Sequence, residues 1–204
     1  MEGLVRRLPR TAIRGLVAGL AVLLVVWAYA RLGEGFSYVG TRVTPDVAPP
    51  LVLPDDQDGV FDLAAHHGGI TLVYFGYTHC LDVCPATLGL LDAVAREMGV
   101  DGGRVTQVFV TLDPRRDTQN ALHSFLSNFD PAPVGLTGSP EAIAAAAQAW
   151  DVTWRPAEGG AYIDHTSVVA VIGPDGRERL RYSFSQLGDA AAVARDLRHV
   201  LHES

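Results

Sequence analysis

Residues 70–85 read ITLVYFGYTHCLDVCP, and this run joins a strand to a helix through a loop that carries both cysteines of the chain. Residues 70–75 are β-branched, aromatic or aliphatic on both faces, a pattern typical of a fully buried strand. Apolar residues then recur with helical spacing and predict a helix over residues 85–98. Cys80 and Cys84 are therefore expected between a buried strand and a helix N-terminus.

Strands continue to alternate with helices on either side of this run. We predict further strands at residues 51–53, 60–62, 105–112, 134–136, 168–172 and 179–182. Helices are predicted at residues 117–129, 140–150 and 190–201. This order predicts an α/β domain with a mixed sheet flanked by helices. It is the order of the thioredoxin-like fold, whose reactive residues lie where the first central strand meets the following helix.

Composition and charge exclude several classes of protein. The chain has 204 residues, of which 48% are apolar and 19% charged, so it is neither disordered nor a coiled coil. Two cysteines are too few for a disulfide-dense scaffold, and the absence of lysine excludes a Schiff-base or P-loop lysine. Residues 1–30 carry a formal charge of +3, so residues 31–204 carry −10 of the total of −7. Such an acidic domain argues against nucleic acid as a partner.

The N-terminal residues have the pattern of a membrane anchor. Four arginines precede an uncharged apolar run, which predicts a cytoplasmic segment over residues 1–11 and a transmembrane helix over residues 12–30. A linker at residues 31–50 and a folded domain at residues 51–204 follow. The positive-inside rule places that domain across the membrane, and the short N-terminus favours an inner-membrane protein facing a bacterial periplasm. The alternative is a cleaved signal peptide, since residues 28–30 read Ala-Tyr-Ala.

The two cysteines suit either metal binding or redox chemistry. Backbone N–H groups and the helix dipole at a helix N-terminus favour the thiolate form of a cysteine. Cys80 and Cys84 are separated by three residues, whereas thiol oxidoreductases have two, and the wider spacing lets both sulfurs converge on one ion. A purely stabilising disulfide is the alternative, although so short a loop would stabilise the fold little.

A histidine far along the sequence is the third candidate ligand. His165 precedes the strand predicted at residues 168–172, and in thioredoxin-like folds that loop faces the reactive cysteines. Two thiolates and one imidazole suit Cu(I) and can also hold Cu(II). Zinc is the competing ion, but structural zinc takes four ligands, and Asp82 and Asp164 are the only further candidates.

Five segments of the chain together resemble the Sco/SenC family. They are residues 72–80 (LVYFGYTHC), 82–85 (DVCP), 108–118 (VFVTLDPRRDT), 135–139 (GLTGS) and 164–166 (DHT). The resemblance covers residues 51–204. It implies a membrane-tethered, thioredoxin-like copper protein that helps assemble the dinuclear copper centre in subunit II of cytochrome c oxidase. It also implies that Cys80, Cys84 and His165 are the copper ligands.

The resemblance extends to partners and neighbouring residues, with one departure. It implies Asp113 close to the copper site, and it implies other periplasmic copper chaperones or thioredoxin-like reductants as further partners. Asp164, directly before His165, is expected to orient that histidine or a partner. The family has proline directly after the first cysteine, whereas this chain has Leu81. We expect this change to loosen the loop and to shift metal affinity or cysteine redox potential without removing a ligand.

Two functions outside metal transport use the same cysteines. A thiol-disulfide oxidoreductase would cycle Cys80 and Cys84 through a redox disulfide and keep the cysteines of the acceptor reduced before copper enters. A thiol peroxidase is disfavoured, because its reactive cysteine follows a Thr or Ser by three residues, and here Leu81 and Tyr77 occupy those positions.

Overall fold

The chain divides into two compact units, Met1–Ser37 and Tyr38–Ser204. The computed structural model describes residues 10–32, 36–156 and 162–203. In the first unit, helix α1 spans Arg10–Leu32. Among the described residues, no helix has both the length and the apolar character that crossing a bilayer requires. The anchor predicted over residues 12–30 stays a prediction, and residues 1–9 and 33–35 of the predicted N-terminus and linker lie outside the described residues.

Ten strands and four helices form the described part of the second unit. The strands are β1 (Thr41–Val47), β2 (Val52–Pro54), β3 (Val60–Asp62), β4 (Ile70–Gly76), β5 (Val105–Thr111), β6 (Val134–Leu136), β7 (Trp154–Pro156), β8 (Ile163–His165), β9 (Val168–Ile172) and β10 (Arg177–Ser183). The helices are α2 (Val83–Met98), α3 (Gln119–Leu126), α4 (Pro140–Ala149) and α5 (Ala190–His202). Six strands form one mixed sheet in the order β1-β10-β9-β4-β5-β6, and two hairpins, β2-β3 and β7-β8, pair separately.

Strand β4 is the centre of the sheet. All seven of its residues are buried, and it pairs in parallel with β5 and antiparallel with β9. Because side chains alternate along a strand, its two faces enter two different cores. Leu72 and Tyr74 pack with apolar residues of α2, α3 and α5, and Val73 and Phe75 pack with α4 and the β2-β3 hairpin. The predicted mixed sheet with helices on both faces is therefore confirmed.

The segment predicted as a linker contains an edge strand. Within residues 31–50, Thr41–Val47 forms β1 and pairs antiparallel with β10. Six of its seven side chains are exposed, so the strand lacks the alternating apolar pattern from which strands are predicted. Pro45 lies where the register shifts between Arg42 and Asp46, as expected for proline at a sheet edge. Backbone pairing with β10, with a hydrogen bond from the side chain of Gln186 to the hydroxyl of Thr41 (3.2 Å), adds these residues to the domain.

A buried carboxylate on α5 holds the start of the second unit. The side chain of Asp196 is fully buried and accepts hydrogen bonds from the N–H groups of Val39 (2.8 Å) and Gly40 (3.0 Å). It also accepts one from the hydroxyl of Tyr182 (3.0 Å) on β10. Gly40 packs so closely on Tyr182 that an added Cβ would lie 2.8 Å from its ring. One side chain thus joins the N-terminal segment, an inner strand and the last helix.

We predict that Asp196→Ala lowers the free energy of unfolding by about 3 kcal/mol, because three donors lose their acceptor in a buried site. Chemical denaturation of the full chain followed by circular dichroism measures this. The matched control is Asp101→Ala. It breaks a partly exposed ion pair (3.7 Å) with Arg198, which lies on α5 like Asp196, and should change the free energy of unfolding by less than about 0.5 kcal/mol. Equal effects of the two substitutions would contradict the account.

Candidate metal centre

Both cysteines lie at the junction of β4 and α2, and both are free thiols. The sequence predicts Pro85 as the first helical residue, but α2 begins two residues earlier at Val83, which puts Cys84 in the first helical turn. Cys84 is fully buried and belongs to the core beneath the sheet, whereas Cys80 in the preceding loop is partly exposed. The backbone N–H of Cys84 points to Cys80 Sγ at 3.4 Å. The two sulfurs therefore occupy different surroundings.

Gly76 makes room for the buried sulfur. A Cβ built on Gly76 would lie 3.0 Å from Cys84 Sγ and 2.8 Å from a ring carbon of Phe109. Real Cβ atoms do not come that close, so a larger residue would displace either the sulfur or the ring. The last residue of β4 is thus a glycine because the cysteine side chain packs directly against its backbone.

The pKa of Cys80 lies below its ordinary value. Burial by itself raises this pKa, but the N–H groups of Asp82, Cys84 and Val83 surround the sulfur and together outweigh burial. These are the free N–H groups of the first turn of α2, which favour a negative charge. The prediction that the helix N-terminus favours a thiolate is therefore correct for Cys80.

The same prediction is wrong for Cys84. The pKa of Cys84 is raised to about 12, chiefly by burial and in smaller part by the neighbouring Cys80. The backbone N–H of Tyr77 and the hydroxyl of Tyr74, which donates to Cys84 Sγ at 3.6 Å, lower it only in part. In the absence of a metal, Cys84 is therefore a protonated thiol at neutral pH. The helix dipole does not overcome the loss of solvent around this sulfur.

His165 faces the buried cysteine across the site. Its Nε2 lies 3.9 Å from Cys84 Sγ, and its Nδ1 lies 2.9 Å from the carbonyl oxygen of Thr166. Because a carbonyl only accepts, Nδ1 carries the proton and Nε2 presents its lone pair to the sulfur. Burial lowers the pKa of His165, so the ring is neutral at neutral pH. A neutral imidazole with a free Nε2 is the form that binds a metal ion.

Two of the three predicted ligands, Cys80 and His165, line one cleft, whereas the buried Cys84 is not among its lining residues. The cleft has a volume of about 490 Å³, and Cys80, His165 and Leu81 are among the residues that line it. Leu81, which stands where the family has proline, is 78% exposed and makes part of the rim. The structure brings Cys84 and His165 into contact and leaves Cys80 beside them. Among the described residues, no three His, Cys, Asp or Glu side chains are already arranged as a metal site.

Asp117 holds in place the loop between β4 and α2, residues 77–82, which we call the cysteine loop. Its buried carboxylate accepts hydrogen bonds from the N–H (2.9 Å) and hydroxyl (2.5 Å) of Thr78 and from the hydroxyl of Thr111 (2.7 Å). Its carbonyl oxygen accepts one from Thr137 (3.1 Å). The sequence places Asp117 at the start of the helix predicted over residues 117–129, but α3 begins at Gln119 and Thr118 caps it. The partners of Asp117 lie 6, 20 and 39 positions away, so no local pattern could have identified this role.

Asp113 and Asp164, both expected near the site, pair with arginines in the structure. The carboxylate of Asp113 pairs with Arg116 within the loop that follows β5. Asp164 on β8 is exposed and faces Arg155 across the hairpin at 3.5 Å. The charge of Asp164 raises the pKa of His165 slightly against the larger effect of burial. Asp164 thus acts on the histidine through charge.

The chain matches known proteins over most of its length. The family model SCO1/SenC matches residues 39–202. The mitochondrial protein SCO1 homolog of Mus musculus is 38% identical over 152 residues. That alignment covers 67% of this chain and 53% of the mouse protein, so the chain spans about half the length of this relative.

Two solved structures share the architecture. ScoI of Bradyrhizobium japonicum with copper bound has 34% identity and a TM-score of 0.69, over 76% of this chain and 99% of that one. Apo Sco1 of Thermus thermophilus has 32% identity and a TM-score of 0.73, over 82% of this chain and 99% of that one. Together with the family match over residues 39–202, these findings show that the chain belongs to the SCO1/SenC family.

Proposed function

We propose that this chain is a copper-binding assembly protein of cytochrome c oxidase that holds copper through Cys80, Cys84 and His165. The observation that carries the proposal is the Nε2 of His165, which lies 3.9 Å from Cys84 Sγ with its lone pair directed to the sulfur. A copper-bound relative with 34% identity supports the choice of metal.

The donor set suits copper better than zinc. Two thiolates and one imidazole are soft ligands, and three of them satisfy Cu(I), whereas structural zinc takes four. Asp164 would be the nearest carboxylate on the histidine side, but it is exposed and faces Arg155. Copper therefore needs no further side chain, and the same three ligands can hold Cu(II).

Transfer to an acceptor proceeds by exchange of ligands. Cys80 is partly exposed whereas Cys84 is buried, so a thiolate or imidazole of the acceptor reaches the metal from the side of Cys80. Cys84 and His165 lie deeper and release the metal last. We propose the dinuclear copper site of oxidase subunit II as the acceptor, and other periplasmic copper chaperones as donors. Copper binding at Cys84 displaces the proton that its raised pKa retains.

Residues 12–30 supply the membrane tether in this proposal. Support comes from the four arginines on the N-terminal side of the apolar run, which favour a cytoplasmic N-terminus. The copper domain would then face the periplasm, on the side of the inner membrane where an exported acceptor is assembled. A cleaved signal peptide would export the same domain without a tether.

The asymmetry of the cysteines favours a second function, reduction of the cysteines of the acceptor. Cys80 is partly exposed with a lowered pKa, and Cys84 is buried with a raised one. The Cys80 thiolate attacks a disulfide of the acceptor and releases one thiolate. Cys84 then loses its proton and attacks Cys80 Sγ, which releases the second thiolate and leaves a Cys80–Cys84 disulfide. A thioredoxin-like reductant must then reduce that disulfide.

We predict that the reduced full chain binds about one Cu(I) per chain, and that His165→Ala weakens binding at least about tenfold. Cys80→Ser and Cys84→Ser should weaken it more, because each removes a soft ligand. Competition with a Cu(I) chelator measures the Cu(I) affinity of the wild type and of the three variants.

The matched control for the histidine is His202→Ala, at the exposed end of α5. It should leave Cu(I) binding unchanged. The ligand assignment fails if His165→Ala binds copper as tightly as the wild type. If the wild type itself holds no copper yet reduces a disulfide peptide, the reductase function replaces copper transport.

We further predict that Cys80 is alkylated at least about tenfold faster than Cys84 at pH 7, because it is more exposed and forms a thiolate more readily. Brief iodoacetamide labelling of the reduced wild type, with tandem mass spectrometry of the peptide that contains both residues, measures the ratio. The same labelling in denaturant is the control and should remove the difference. Equal rates in the folded chain would refute the asymmetry.

A further inference from the structure

Tyr77 is the first residue after β4, and it contacts every group that the proposed copper site uses. Its side chain is only 3% exposed. Its backbone N–H donates to Cys84 Sγ, and its phenol interacts with Cys80 Sγ. Its ring packs edge-on against His165, with ring centroids 6.0 Å apart and an interplanar angle of 80°. This one residue of the cysteine loop therefore contacts both cysteines and the histidine.

The hydroxyl of Tyr77 also makes a direct hydrogen bond to the strand that carries His165. The N–H of Ile163, at the start of β8, donates to this oxygen at 3.2 Å. The donor and the acceptor are 86 positions apart. Because β8 ends at His165, the hydrogen bond fixes the strand two residues before the histidine.

The β7-β8 hairpin, which carries His165, depends on contacts with the rest of the domain. Among the described strands, β7 and β8 pair with each other and lie outside the six-stranded sheet. Each has three residues, and so short a two-stranded hairpin needs contacts outside itself, such as the packing of Ile163 and Trp154 against the two cores. The N–H of Thr166 donates to Thr153 at 2.9 Å and closes the hairpin on itself. The bond to Tyr77 instead attaches the hairpin to the cysteine loop.

We propose that Tyr77 is a positioning residue whose hydroxyl latches β8 to the cysteine loop and so keeps His165 within reach of copper bound at Cys80 and Cys84. This inference rests on the proposed copper function. The latch itself is a property of the copper-free chain, so it is tested separately from copper binding. A phenylalanine at this position would fill the same space but would leave the N–H of Ile163 without this acceptor.

The test is Tyr77→Phe in the full chain. In the copper-free, ¹⁵N-labelled protein, we expect the Ile163 amide to exchange with deuterium about fivefold faster than in the wild type, with amides of β4 and β5 unchanged. We expect Cu(I) retention against a chelator to fall several-fold. In the Cu(II) form, the nitrogen hyperfine structure in the electron paramagnetic resonance spectrum should weaken, because His165 no longer holds its place.

Tyr182→Phe is the matched control. It removes another buried phenolic hydroxyl, the one bonded to Asp196, and should reduce stability without accelerating exchange at Ile163 or weakening the nitrogen signal. The latch is refuted if Ile163 exchanges equally in Tyr77→Phe and the wild type. Its positioning role is refuted if exchange accelerates but copper retention and the nitrogen signal stay the same. If the wild type retains no copper, the proposed function fails, and Ile163 exchange still decides whether the latch exists.

Discussion

The carboxylate of Asp117 is fully buried and accepts hydrogen bonds from the N–H and hydroxyl of Thr78 and from the hydroxyl of the buried Thr111. These bonds attach the loop between β4 and α2 to the end of β5, and the carbonyl of Asp117 extends the attachment to Thr137 after β6. Without them, six loop residues between Gly76 and Val83 would have to be ordered by the chain alone, at a large entropic cost. The position of Cys80 depends on this anchoring.

The site combines a buried half and an exposed half, and each half has a different chemical role. Cys84 and the neutral ring of His165 lie close together among apolar side chains, which keeps the thiol protonated until a metal replaces the proton. Cys80 is accessible and stabilised as a thiolate by the N–H groups of α2. In the proposed functions, an incoming copper ion or acceptor disulfide would meet Cys80 first. We infer from this order that one pair of cysteines could serve both copper transfer and thiol chemistry.

The sequence predicts the parts of this protein that local patterns determine. Strand β4 and helix α2 have the periodicity of buried elements, and the motif around Cys80 and Cys84 identifies the junction between them. Strand β1 escapes prediction because six of its seven side chains are exposed and its backbone pairs with β10, which is distant in sequence. The raised pKa of Cys84 and the contacts of Asp117 and Tyr77 depend on residues distant in sequence, which one sequence cannot place.

X-ray absorption spectroscopy of the reduced full chain loaded with Cu(I) tests the central claim most directly, because it counts the donor atoms around the metal. The account predicts two sulfur ligands and one imidazole nitrogen per copper, with the nitrogen lost in His165→Ala and one sulfur lost in Cys84→Ser. A wild-type spectrum with a single sulfur, or one whose imidazole contribution survives in His165→Ala, would contradict the assignment of Cys80, Cys84 and His165 as the copper ligands.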